Sequence, residues 1–138
     1  MILFVYGSLR RGLHMHSALG LAEYATFQGE FNLIGYSMYD LGAYPGIIHD
    51  PSGVIVVEKY QIQSSEILHL LDEYEGYVSP LKAYKSKHNY KEVSLFLREK
   101  VWDGPRLLGY IYVYNRDVGA APVIENGDWC EYNLSKSN

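Results

Sequence analysis

A chain of 138 residues is the size of one compact domain, since domains peak at roughly 100–150 residues, and one hydrophobic core then suffices without disulfide or metal staples. With 48% apolar, 14% aromatic and 20% charged residues the composition excludes a disordered, collagen-like or coiled-coil chain, and 14 tyrosines imply a tyrosine-rich core. A net charge of −4 without a long run of Lys or Arg argues against a nucleic-acid partner, the first apolar run is too short for a secretory or membrane segment, and the single Cys130 points to the cytoplasm.

Residues 2–6 are bulky β-formers that do not alternate, which predicts a strand buried on both faces. The glycine-bracketed turn from Tyr6 to Gly12 leads into a weak helical segment over 16–23, and residues 31–39 predict a second strand. Gly42-Ala43-Tyr44-Pro45-Gly46 punctuates the chain before a third strand over 53–62. The strongest helix spans 64–75, with Ser64 or Ser65 as cap, Ile67, Leu68 and Leu71 as its apolar stripe, and Gly76 as its stop.

Residues 77–92, with Pro80 and several lysines, are expected as an irregular loop feeding a strand over 91–98, and 100–106 as a turn built on Asp103-Gly104-Pro105. Residues 109–114 alternate cleanly, with Tyr110, Tyr112 and Tyr114 on one face. The final stretch has turn chemistry and an anchoring Trp129, and the tail over 134–138 is expected to fray. One domain over 1–138 therefore has an α+β arrangement with a mostly antiparallel or mixed, curled sheet. The glycines match neither a dinucleotide-binding nor a P-loop pattern.

Glu75 is the first candidate for chemistry. It sits in the last helical turn, beside unpaired carbonyls, three residues after Asp72 on the same face, and between Tyr74 and Tyr77. A like charge, the helix dipole and desolvation each raise a carboxyl pKa, which would give a base that both takes and returns a proton near neutrality. The alternative is a solvated acidic helix end. The turn after the first strand is the second candidate: the amides of Gly7, Ser8 and Leu9, turned inward, would form a nest for a carboxylate or oxyanion with Tyr6 at its mouth, and otherwise make an ordinary strand exit. The five histidines are scattered and lack a metal-ligand spacing, so no metal or other cofactor is expected.

Four segments in order, Val5-Tyr6-Gly7-Ser8-Leu9, Gly42-Ala43-Tyr44-Pro45-Gly46, Leu71-Asp72-Glu73-Tyr74-Glu75-Gly76-Tyr77 and Tyr110-Ile111-Tyr112-Val113-Tyr114, resemble the γ-glutamylcyclotransferase-like superfamily. The ending Ile124-Glu125-Asn126-Gly127-Asp128-Trp129 resembles a small bacterial branch of it. The resemblance implies a small, mixed, partly closed β-barrel with a few surrounding helices. It implies Glu75 as catalytic acid/base, with Tyr6, Gly7, Ser8 and Leu9 binding the glutamyl end of the substrate, Tyr44 beside them, and Tyr112 or Tyr114 near the pocket.

The implied reaction is intramolecular cyclisation of a γ-glutamyl amide to 5-oxoproline and a free amine, with no cofactor. Relatives often carry an aromatic closely followed by an arginine after the glutamate, where this chain has Tyr84-Lys85 and Tyr90-Lys91. A non-catalytic module binding an amino acid or carboxylate on the same fold is the alternative. A hydrolase using Asp72 and Glu75 as a pair, or a protein-contact surface on the tyrosine row, ranks behind both.

Overall fold

The computed structural model describes residues 1–136, arranged as one five-stranded mixed sheet with short helices around it. Strand β1 (Ile2–Val5) lies at its centre, antiparallel to β3 (Pro45–Ile62) and parallel to β5 (Arg106–Tyr114), with β2 (Ala25–Asp40) and β4 (Phe96–Asp103) at the edges in the order β2-β3-β1-β5-β4. The expected α+β class with a mixed sheet and surrounding helices is found, with the curled sheet left open rather than partly closed into a barrel. Its curl comes from the long β2–β3 ribbon, whose register shifts between Phe27 and Glu30 and between Ile34 and Tyr36. Gly29 and Gly35 sit in those irregularities with φ of 117° and 110°, values that only glycine adopts freely. Bent there, the ribbon brings Gly46 so close to Tyr114 and Leu41 that a Cβ on it would meet Leu41 Cδ1 at 2.6 Å.

Because β1 is central, its alternate side chains feed two cores. Phe4 and Tyr6 join a cluster with Ile111, Val113 and Trp129, while Leu3 and Val5 join one with Ile67, Leu71 and Tyr112 on the other face. Helix α3 (Ser65–Glu75) covers the second face through Ile67 and Leu71. The Ser64 side chain caps its start by accepting from the Glu66 amide, and Gly76 ends it in the left-handed conformation. Helix α6 (Trp129–Lys136) closes the first face with Trp129.

Several boundaries differ from those expected. The weak helical segment is two short helices, α1 (His14–Ala18) and α2 (Leu21–Tyr24), separated at Gly20. The stretch expected as a loop carries α4 (Pro80–Lys85) and α5 (Tyr90–Val93). Each has a local capping signal: the Ser79 hydroxyl accepts from the Lys82 amide, Pro80 opens α4, and the Asn89 side chain accepts from the Lys91 amide. Strand β4 therefore begins only at Phe96 and runs through the expected turn, leaving Gly104 and Pro105 as the hairpin tip. Residues 134–136 are helical and Lys136 Nζ pairs with Asp40 at 3.0 Å, so of the tail expected to fray only 137–138 lie outside the described residues.

A buried ion cluster joins the two ends of this fold. The Arg10 side chain, 6% exposed, donates from Nε to Glu58 at 2.9 Å and from Nη1 to Asp128 at 2.8 Å. Glu58 also accepts from the Arg11 amide and the Tyr60 hydroxyl. Removing one member of a buried pair strands the other in low dielectric, so Arg10→Ala should lower stability by about 3–5 kcal/mol, read as a lower urea midpoint at unchanged m-value. A loss under about 1 kcal/mol would contradict the cluster's role.

Candidate active site

The exit from β1 is shaped from several directions. The Arg10 amide donates to the Gly7 carbonyl at 3.0 Å, closing a turn over 7–10, and His16 Nδ1 donates to the Leu9 carbonyl at 2.8 Å. Pro45 packs onto Gly7 so tightly that a Cβ there would lie 2.9 Å from the proline ring, so the position requires glycine. None of the Gly7, Ser8 and Leu9 amides donates to a protein acceptor among the described residues. That leaves three adjacent donors for a bound group.

This turn forms one wall of a cavity of about 310 Å³. Tyr44 and Pro45 from the β2–β3 tip, Tyr74 and Glu75 from the end of α3, and Phe96 and Tyr112 from the β4–β5 hairpin form the others. Tyr6, Gly7, Ser8, Leu9, Tyr44, Glu75 and Tyr112 are thus brought together, whereas Tyr114 is not among the lining residues and packs on the Phe96 ring with centroids 5.2 Å apart. At the mouth the Ser8 and Tyr74 hydroxyls share a hydrogen bond of 2.6 Å, linking the turn to α3.

Glu75 is the only carboxylate of the lining. Its carboxyl has no hydrogen-bond or ion-pair partner among the described residues, and burial, then the Asp72 charge, push its pKa up to about 8. Two of the lining tyrosines, Tyr6 and Tyr112, keep their protons: burial and the neighbouring carboxylates raise both far above the ordinary phenol range. Their hydroxyls are engaged within the protein. Tyr6 donates to the Tyr112 carbonyl at 2.7 Å, and Tyr112 donates to Asp72 Oδ1 at 2.6 Å. Both tyrosines therefore shape the cavity with their rings while their O–H bonds tie β1, β5 and α3 together.

Sequence reasoning missed Arg98. It stands two residues after Phe96 on β4, directly across from Tyr112 in register, with Nε 3.2 Å from Asp72 Oδ1. It supplies an arginine after an aromatic, where the expectation looked only at Tyr84-Lys85 and Tyr90-Lys91, but it does not line the cavity. His16 and Arg10 were also missed as supports of the turn. Leu95, Phe96 and Pro45 carry no sequence signal for a pocket, since only the curl of the sheet brings them there.

Among the described residues no three His, Cys, Asp or Glu side chains converge as a metal site, and no helix is long and apolar enough to cross a membrane.

The proton on Glu75 makes stability depend on pH. The folded protein binds it more tightly, at about 8, than an unfolded chain with a carboxyl at 4.5, so ionisation of Glu75 opposes folding. Its contribution is fully favourable below pH 4.5 and is lost as pH rises through about 8. Glu75→Gln does not titrate, so its melting temperature relative to the unaltered protein should climb across that window and level off on either side. A difference independent of pH would refute the raised proton affinity.

Residues 3–131 match the family model described as gamma-glutamyl cyclotransferase, AIG2-like. The gamma-L-glutamyl-butirosin B gamma-glutamyl cyclotransferase of Niallia circulans is 31% identical over 99% of this chain and 80% of its own. The gamma-glutamylcyclotransferase family protein YtfP of Escherichia coli strain K12 is 28% identical over 95% of this chain and 97% of its own. The crystal structure of protein PH0828 from Pyrococcus horikoshii superposes with a TM-score of 0.68 over 99% of this chain and 96% of its own, at 20% identity, a likeness of fold. With its curled mixed sheet, its glycine turn and a family match over nearly its whole length, the chain belongs to the AIG2-like γ-glutamylcyclotransferase family of enzymes.

Proposed function

We propose that the protein cyclises a γ-glutamyl amide, releasing 5-oxoproline and a free amine, with Glu75 as the proton carrier. The observation that supports this most is a carboxyl without a protein partner, raised to about 8, on the same cavity as three amides without acceptors. A base with that proton affinity can take a proton from the substrate's α-amino group and later give it up near neutral pH. The neutral α-amine attacks the γ-carbonyl of its own molecule and loses one proton to Glu75 as the C–N bond of the five-membered lactam forms. The amide C–N bond then breaks, and the proton held by Glu75 goes to the departing amine.

Ring closure is intramolecular, so the main task left to the enzyme is to hold the glutamyl chain folded and to move one proton. The amides of Gly7, Ser8 and Leu9 suit the α-carboxylate or the oxyanion that develops on the γ-carbonyl, since both need donors and neither requires a cation. A volume of about 310 Å³ lies at the lower end of small-ligand sites, which run from roughly 300 to 1,000 Å³, and fits a glutamyl group with part of its amine. We read the protein as cytoplasmic on its lone cysteine.

The test is release of 5-oxoproline from a panel of γ-glutamyl amides that includes γ-L-glutamyl-butirosin B, the compound named for the Niallia relative. Glu75→Gln keeps the shape and removes the base, so kcat should fall by roughly two to four orders of magnitude while ligands still bind. Equal binding of glutamyl ligands by both proteins with no turnover by either would leave the binding-module reading in its place.

A further inference from the structure

Three elements converge on one side chain next to Glu75. Asp72 sits one turn earlier on α3, and its Oδ1 receives the Tyr112 hydroxyl at 2.6 Å and the Arg98 guanidinium at 3.2 Å. Tyr112 and Arg98 are direct cross-strand partners on β5 and β4, so the hairpin presents a neutral donor and a cation side by side to a single carboxylate. Arg98 is itself held in place, with the Tyr77 and Tyr110 rings 5.3 and 5.8 Å from its guanidinium carbon. The Asp72 and Arg98 side chains are 13% and 18% exposed, so the arrangement is shielded from salt and water.

We propose that Asp72 is a positioning residue for Glu75: clamped by Tyr112 and Arg98, it keeps a fixed negative charge one helical turn away and governs the pH at which Glu75 takes up its proton. The role assigned to Asp72 rests on the reading of Glu75 as the proton carrier.

The neighbourhood leaves few other groups able to do this. Facing Glu75 are Tyr6 from the β1 exit, Tyr112 from β5, Tyr44 from the hairpin tip and Tyr74 from α3 itself, all phenols. Around Asp72 are Tyr112, Arg98, Tyr77 and His69. Among the described residues Asp72 is the one anion acting on Glu75; burial raises its own pKa, and Tyr112, Arg98 and His69 each work against that and favour its ionised form. Arg98 Nε has no well-aligned acceptor although it lies at ion-pair distance, as expected for a cation acting through its charge rather than through a directed bond.

Two substitutions separate this role from a merely structural one, because they displace the same observable in opposite directions. Asp72→Asn keeps an acceptor for Tyr112 and removes the charge. The acidic limb of kcat/KM should move down by roughly one pH unit, and the plateau should fall because a weaker base remains, with KM little changed. Arg98→Gln removes the cation from the pair of carboxylates, so the last proton leaves with more difficulty and the limb should move up.

The same order is measured without any substrate by titrating the Glu75 side-chain carboxyl by carbon NMR in the three proteins. If activity falls at every pH while the limb and the carboxyl titration stay where they were, Asp72 is structural and the proposal is overturned. If no γ-glutamyl amide is turned over but the titration moves down in Asp72→Asn and up in Arg98→Gln, the electrostatic role stands and the reaction assigned to the site is what fails.

Discussion

The burial of the Arg10 guanidinium is the constraint around which the molecule is organised. It follows directly on the turn that walls the cavity, and a cation at 5% exposure is tolerable only with carboxylates against it. Glu58 comes from the middle of β3 and Asp128 from the segment entering α6, so neutralising one charge fixes the β1 exit to the sheet and to the C-terminal part of the chain. Glu58 also accepts from the Arg11 amide and the Tyr60 hydroxyl, both at Oε1. The backbone of 7–9 therefore holds its form without using its own amides, and those amides stay available for a ligand. Had the turn been stabilised by an internal ladder instead, the same donors would have been consumed.

The treatment of charge elsewhere follows a graded pattern. Arg10 is paired with three carboxylates, Glu58, Asp128 and, at 3.5 Å, Glu30; Asp72 is clamped by one hydroxyl and one cation, and Glu75 has neither. These three environments lie within one small structure, and they show that the isolation of Glu75 is local, since pairing groups are built in wherever a charge has to be stable. The tyrosines serve the same economy of donors. Tyr6, Tyr60 and Tyr112 each bury a ring and direct the hydroxyl to an internal acceptor, and the half-buried Tyr132 donates to Asp40, so a core with many phenols carries few stranded polar atoms. Tyr74, at the edge of the cavity, instead shares a hydrogen bond with the Ser8 hydroxyl.

What the sequence revealed and what it hid divide along one physical line. Features set by neighbours in the chain were legible: the cap and glycine stop of α3, the two-faced burial of β1, the alternation of β5, and the sharing of one helical face by Asp72 and Glu75. The capping signals at Ser79 and Asn89 were equally local and were overlooked because proline and lysines suggested irregular chain. Features set by register were not legible. Arg98 meets Asp72 only because β4 and β5 pair Arg98 with Tyr112, and shifting that pairing by one residue would turn the guanidinium to the opposite face. Tyr112 and Tyr114, equivalent in an alternating strand, are separated into wall and backing only by where the curled β2–β3 ribbon crosses the end of β5.

That crossing also explains why so small a protein can hold a polar cavity at all. An open five-stranded sheet has two faces to cover, and here α3 and α6 cover them while the bent ribbon folds its tip over the end of β5. The cavity lies where these coverings meet, bounded by a helix end, a strand exit and a hairpin tip. Each of those is a chain terminus of regular structure, where backbone groups are released from ladders and helices, so unpaired amides and an unpaired carboxylate collect there. One turn earlier on α3 the carboxylate of Asp72 is already held by the Tyr112 hydroxyl and the Arg98 guanidinium. Among the described residues the end of this helix is where the cavity brings a carboxylate without a protein partner beside backbone amides without acceptors.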